Sequence, residues 1–250
     1  MGAMIALQLY TVRDETARDF KSTLHRVAEI GYTAVEFAGY GNLSSKDMAT
    51  LLADTGLHAI GSHVTLPALE KDFDGEINSC LDLGCPLLVV PSVAEKWRTG
   101  QGTKDLCKIL NAYGRLAQTH GITLVYHNHD FEFRPDVAGK LMIDTLVAGT
   151  DPALLKLELD VFWAAFAGVD PIGFISKYAE RVVALHLKDM TPNHTFTEVG
   201  DGILDIASYA KAAQAGGTKY FIVENDRPGI PPLESACRSF ENIFGRLQWW

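Results

Sequence analysis

A closed barrel of eight parallel strands wrapped by helices, the (β/α)8 fold, is what this sequence predicts. Three observations carry the prediction. The chain has 250 residues, a typical length for one such barrel. Short apolar runs alternate with longer amphipathic stretches throughout, which implies parallel pairing through helical crossovers. Polar, chemistry-bearing residues gather where the apolar runs stop, and in a barrel those strand ends share one face.

Strand 1 is expected over 5–9. A helix follows over 14–30, with Phe20, Leu24, Val27 and Ile30 on one face and Gly31 as its stop. Strand 2 covers 34–37, and a Ser-capped helix runs over 45–54. Strand 3 covers 58–64. Strand 4, over 87–91, is almost wholly apolar, as a buried parallel strand should be. Ile109, Leu110, Tyr113 and Leu116 mark the core face of a helix over 106–120, which Gly121 ends. Strands 5 to 8 are read over 122–127, 155–159, 182–187 and 220–223. A last helix carries Leu233, Ala236, Phe240, Ile243, Phe244 and Leu247 at helical spacing.

A doubly wound open sheet is the competing fold. It would carry a glycine-rich phosphate loop after its first strand. Here that stretch is Gln8-Leu9-Tyr10-Thr11-Val12-Arg13, without glycine. No Walker loop, G-x-G-x-x-G or H-E-x-x-H occurs. With no linker or low-complexity tract, residues 1–250 read as one domain. Residues 1–3 could be a cloning remnant before a natural start at Met4.

Hydrophobic residues make up 47% of the chain and charged residues 21%, ordinary for a soluble globular protein. A net charge of −9 weighs against a nucleic-acid partner. Cys80, Cys85, Cys107 and Cys237 form no Cys-x-x-Cys pair, so reduced thiols and a cytoplasmic location are expected. A signal-like N-terminus is absent, and so is any apolar run of membrane-spanning length.

Strand 2 ends near Glu36 and strand 3 near His63. Strand 5 runs into Tyr126-His127-Asn128-His129-Asp130-Phe131-Glu132-Phe133. Strands 6, 7 and 8 end in Glu158-Leu159-Asp160, His186-Leu187-Lys188-Asp189 and Glu224-Asn225-Asp226. Residues i and i+2 share a strand face. His127 therefore goes with His129, Glu158 with Asp160, His186 with Lys188, and Glu224 with Asp226. So many buried charges cannot coexist unpaired, and a divalent cation is the simplest neutraliser. Asp, Glu and His together suit Mn, Co, Zn, Mg or Fe.

Taken singly, several of these residues have plainer readings. Glu36 and His63 alone could be hydrogen-bonded strand-end residues. Asp189 could anchor a loop. Glu198, Asp201 and Asp205 could be turn and cap residues around Gly200 and Gly202. Trp163 and Phe162 could stack on a sugar or close the barrel mouth, while His120 and His194 read as surface residues.

At these motifs the sequence resembles the sugar phosphate isomerase/epimerase superfamily of xylose isomerase-like TIM barrels. The carriers also include the stretch from Gln8 to Arg13, Val161-Phe162-Trp163 and Glu198-Val199-Gly200-Asp201-Gly202. The resemblance covers essentially the whole chain and implies one bound divalent metal ion (Mn, Co, Zn or Mg). Asp160, His186 and Glu224 match three of the family's four ligands. The fourth slot, a glutamate on strand 5, holds His127, so Glu132 is the expected replacement, with direct binding by His127 or His129 as the alternative. Glu224, His127, His129 and Lys188 are then the expected catalytic groups, with Glu36, His63, Glu158 and Trp163 as substrate contacts.

The implied reaction is isomerisation or epimerisation of a sugar or polyol through an enediolate. The departure on strand 5 opens a second outcome, a lyase or dehydratase acting on a keto-inositol or 3-keto-glycoside. An endonuclease IV-like repair enzyme and a non-catalytic sugar-binding barrel are weaker alternatives. A phosphorylated substrate lacks support, because there is no glycine-rich phosphate cradle. No membrane partner is expected. The resemblance allows a homo-oligomer, with Trp249 and Trp250 in its interface or against the barrel's bottom.

Overall fold

The computed structural model describes residues 3–135 and 139–247. Trp249 and Trp250, and the first two residues of the expected remnant, lie outside them. Eight strands close into a parallel barrel: β1 (Met4–Gln8), β2 (Ala34–Phe37), β3 (His58–His63), β4 (Leu87–Val90), β5 (Thr123–His127), β6 (Leu155–Asp160), β7 (Val182–Leu187) and β8 (Tyr220–Val223). Neighbours in sequence are neighbours in the barrel, and β1 pairs with β8 to close it. The predicted (β/α)8 fold is the observed one. Among the described residues, no helix is long and apolar enough to cross a membrane.

The barrel interior is layered. Ala6, Ala34, Val125, Ala184 and Ile222 belong to an apolar plug that also holds Ile60, Leu87 and Val89. Two residues further along the same strands stand Gln8, Glu36, His127, His186 and Glu224. Period-two alternation therefore lifts a polar layer directly above the plug. The small alanines fill little of the space beneath it. A second, larger core joins the outer strand faces to the helices.

Two register shifts mark this layer. One falls between Val35 and Glu36 where β2 pairs with β3, the other between Leu157 and Glu158 where β6 pairs with β7. Each re-aims the glutamate that follows it, as irregularities beside functional sites commonly do. Gly61 lies opposite Glu36, and a Cβ there would collide with Glu36 Oε1.

Several helices differ from expectation for local reasons. The stretch 14–30 is two helices, Arg13–Arg18 and Phe20–Ile30. Between them Asp19 is extended (φ −152°, ψ 96°), and its carboxylate accepts from Ser22 N at 3.0 Å. The helix expected from 106 begins at Gly100, where Thr99 caps it. The Ser cap expected for the helix Ser45–Thr55 is Ser44. Leu66–Leu83 was not singled out in the sequence; Asp72 kinks it and interrupts its period. After β7 a short ribbon pairs Asp189–Met190 with Phe196–Thr197.

Candidate active site

The polar layer is built from two tiers. In the lower one, three imidazole nitrogens surround one carboxylate oxygen. Glu158 Oε1 lies 3.0 Å from His63 Nε2, 2.9 Å from His127 Nδ1 and 3.0 Å from His186 Nε2. Glu36 Oε2 touches His186 Nε2 at 2.7 Å and His63 Nε2 at 3.1 Å. Gln8 Nε2 donates to that same oxygen at 2.8 Å. Glu36, Glu158 and His186 are fully buried.

The upper tier is centred on Lys188. Its ammonium reaches Asp160 Oδ2 at 2.9 Å, Glu224 Oε2 at 2.8 Å and Asp226 Oδ1 at 3.0 Å. His186 joins the tiers, because its Nδ1 meets Glu224 Oε2 at 2.8 Å. Asn128 pins Asp160 through the backbone, accepting from Asp160 N at 3.0 Å. Asp160 Oδ1 in turn accepts from Trp163 N, so one residue ends β6 and starts the next helix.

A cavity of about 390 Å³ opens above, of a size for a monosaccharide or cyclitol. Its walls include Tyr10, His63, His127, His129, Lys188, Glu224 and Asp226. Trp163 stands behind His129, with ring centroids 5.7 Å apart.

Electrostatics follow from this packing. Burial raises the Glu36 carboxyl, but the charges of His63 and His186 outweigh it and hold it below the carboxylate range. Burial and Glu36 also push Glu158 up, yet His186 and His127 bring it down to about 2. His63 loses basicity to burial and regains more from Glu36 and Glu158, reaching about 10. His127 is lowered by burial and by the charge of His186. His129 is lowered to about 4 by burial and then by Lys188, which leaves it neutral at physiological pH.

The structure brings together eight of the expected site residues, counted by name: Glu36, His63, His127, Glu158, Asp160, His186, Lys188 and Glu224. His129 lines the cavity beside them. Glu132 stands apart from them. Its carboxylate accepts from Tyr126 Oη at 2.8 Å and from His129 N at 2.8 Å, outside either group of candidate ligands. The turn Phe131–Phe133 folds it back under the strand-5 loop, where it holds the backbone of His129.

Glu36, Glu158 and Trp163, expected as substrate contacts, stand one layer back from the cavity lining. The two glutamates lie beneath the histidines, and Trp163 lies behind His129. Asp189 is a loop anchor, accepting four backbone N–H groups. Asp205 caps the helix Ile206–Ala215. Asp201 pairs with Arg238 and Arg246. Glu198 accepts from Ser235 Oγ and Asn225 Nδ2. Asp226 and Gln8 join the site, though neither is among the residues the sequence singles out for it. The signal for Gln8 was there, a lone amide at an inward position of an apolar strand.

Two groups of described residues bring potential ligand atoms within 4.8 Å of one another: His63, His127, Glu158 and His186, and Asp160, His186 and Glu224. Imidazole and carboxylate donors in this mixture fit a divalent transition ion.

A family model described as xylose isomerase-like TIM barrel matches residues 24–243. The chain belongs to that family. An inosose dehydratase of Clostridium tetani is 39% identical to this family member over 166 residues. That match covers 58% of this chain and 55% of the relative, so the chain spans little more than half its length. An inosose dehydratase of Geobacillus kaustophilus is 27% identical over 275 residues, covering 90% of this chain and 86% of that protein. A solved sugar phosphate isomerase/epimerase from Parabacteroides distasonis superposes with a TM-score of 0.87 at 26% identity, covering 98% and 95% of the two chains.

Proposed function

We propose that this barrel is a metal-dependent lyase that removes water from a keto-polyol of the inosose class. The observation that carries the reading is the similarity to an inosose dehydratase over 90% of the chain. It moves the expected isomerase or epimerase to second place, behind the dehydratase alternative.

The geometry supports the chemistry. Dehydration next to a carbonyl needs a base for the C–H proton and an acid for the departing hydroxyl. His129 lines the cavity, and burial with the nearby Lys188 charge keeps its imidazole neutral and able to take a proton. It is the base, with His127 behind it. Lys188, across the same cavity, is the donor that meets the leaving oxygen, and Glu224 and Asp226 hold it there. The C–H electron pair becomes the new double bond, the β C–O bond breaks, and the hydroxyl leaves with a proton as water. A divalent ion, for which Asp160, His186 and Glu224 form one candidate ligand group, would supply Lewis-acid stabilisation to the substrate's carbonyl oxygen.

The test is incubation with a keto-inositol in heavy water, with Mn, Co or Zn added, followed by mass spectrometry and ultraviolet absorbance. Loss of one water with a new conjugated-ketone band is the expected result. Deuterium uptake with no loss of water restores the isomerase reading, which the Parabacteroides likeness favours. No change in either signal sinks both. His129→Ala should slow the reaction by about 100-fold or more.

A further inference from the structure

We infer that Phe131 and Arg98 are positioning residues for His129: guanidinium, phenyl and imidazole pack in series across two successive strand-end loops, and the series fixes the plane of the ring that takes the proton. The inference rests on the reading of His129 as the base.

His129 stands two residues beyond the end of β5, on a loop. Strand-end loops are the mobile part of a barrel unless something ties them down. A base must hold its lone pair on one C–H bond, and a misplacement of about 1 Å costs about 100-fold in rate. Glu132 fixes only the main chain here, accepting from His129 N at 2.8 Å. That bond leaves the side-chain torsions of the imidazole to packing. Three rings pack against it. Trp163 and His127 meet it at 38° and 72°, with centroids 5.7 and 5.2 Å away. Phe131 lies parallel to it, with centroids 5.9 Å apart and 10° between the planes. That is an offset stack, and it is the contact of the three that sets the plane.

Phe131 is held in turn. Arg98 Cζ sits 3.6 Å from its ring centroid, a close cation–π contact. The guanidinium is itself fixed, because Nε and Nη2 both donate to the Val93 carbonyl, at 3.0 and 2.9 Å. Val93 is buried and follows Pro91 and Ser92, which line the cavity. The loop after β4 thus clamps the loop after β5 through one planar cation. Lysine has neither the flat face nor the fork that this double contact uses. Arg98 and Phe131 stand behind the cavity lining, so their effect on turnover passes through His129.

The experiment is a double-mutant cycle on the whole protein, with keto-inositol turnover and the His129 proton signal in NMR read on the same variants. Phe131→Leu should lower kcat by about 10-fold or more with KM unchanged, whereas Phe131→Tyr, which keeps the ring, should restore it. Arg98→Ala should lower kcat by about 5-fold, the fold-change of one cation–π contact, and Arg98→Lys should not rescue it. In a His129→Ala background both losses should vanish, since nothing is left to orient. Losses that persist there mark a purely structural role and overturn the inference, as does a wild-type kcat in Phe131→Leu; either result leaves His129 standing as the base. A His129→Ala protein as fast as wild type sinks the base and the inference together. The Hε1 resonance of His129, assigned by its disappearance in His129→Ala, needs no turnover. Phe131→Leu should move it by removing the ring current, and Phe131→Tyr should return it. A resonance unmoved in Phe131→Leu overturns the stack whatever the activity.

Discussion

Lys188 is 2% exposed and reaches three carboxylates, so it is the residue on which the upper tier depends. Removing one partner of a buried ionic group leaves the others uncompensated, at a cost of about 3–5 kcal/mol. Lys188→Met should therefore lower unfolding stability by that order in a urea titration, besides abolishing turnover. Glu132 offers a pH prediction. Burial raises its carboxyl from 4.5 to about 7, against the opposing bonds from Tyr126 and His129 N. The folded state thus keeps a proton that the unfolded chain releases. Its contribution is fully present below about 4.5 and is lost as the pH rises to about 7. Glu132→Gln should flatten the fall in melting temperature across that window. Sequence spacing could not separate Glu132 from a ligand, because the fold-back at Phe131–Phe133 is set by contacts with Tyr126 and His129 that lie outside any periodic pattern.

At the scale of elements, one carboxylate organises the long β7–β8 connection. Asp189 accepts from Met190, Gly200, Gly202 and Leu204, so four backbone donors depend on one side chain. Asp189→Ala would leave buried donors unpaired, and about 2–3 kcal/mol of lost stability is expected from thermal unfolding. A Cβ on Gly202 would strike both Asp189 Oδ1 and the Met190 carbonyl, so Gly202→Ala should disturb the same loop. The eight strands were legible because apolar runs bounded by polar residues survive any detail of packing. The helix Leu66–Leu83 was not, since the extended Asp72 breaks its period. Nor did any pattern disclose the shifts before Glu36 and Glu158, which arise only when two strands pair.

For the molecule as a whole, the apolar plug and the polar layer above it make the barrel depend on its counter-charges. An ion bound only by the folded state stabilises it by mass action, by about 4 kcal/mol at a thousandfold excess over Kd. Treatment with a chelator should lower the melting temperature, and added zinc or cobalt should restore it. Differential scanning fluorimetry reads both. That the strand ends on one face would carry the chemistry was readable from i, i+2 spacing alone, which put Glu158 with Asp160 and His186 with Lys188. Which tier each joins was not, because alternation fixes a face and says nothing of depth. His63 shows this: its sequence position gave only a strand end, whereas β3 pairing places it against Glu36 and Glu158.

His186 is bonded through both ring nitrogens, downward to Glu158 and Glu36 and upward to Glu224. It cannot turn to suit one tier without disturbing the other. The two tiers are therefore thermodynamically linked, and linkage is reciprocal. Whatever a ligand in the cavity does to Glu224 is therefore felt at Glu158 and Glu36, and any change in the protonation of those two carboxylates is felt by the ligand in equal measure.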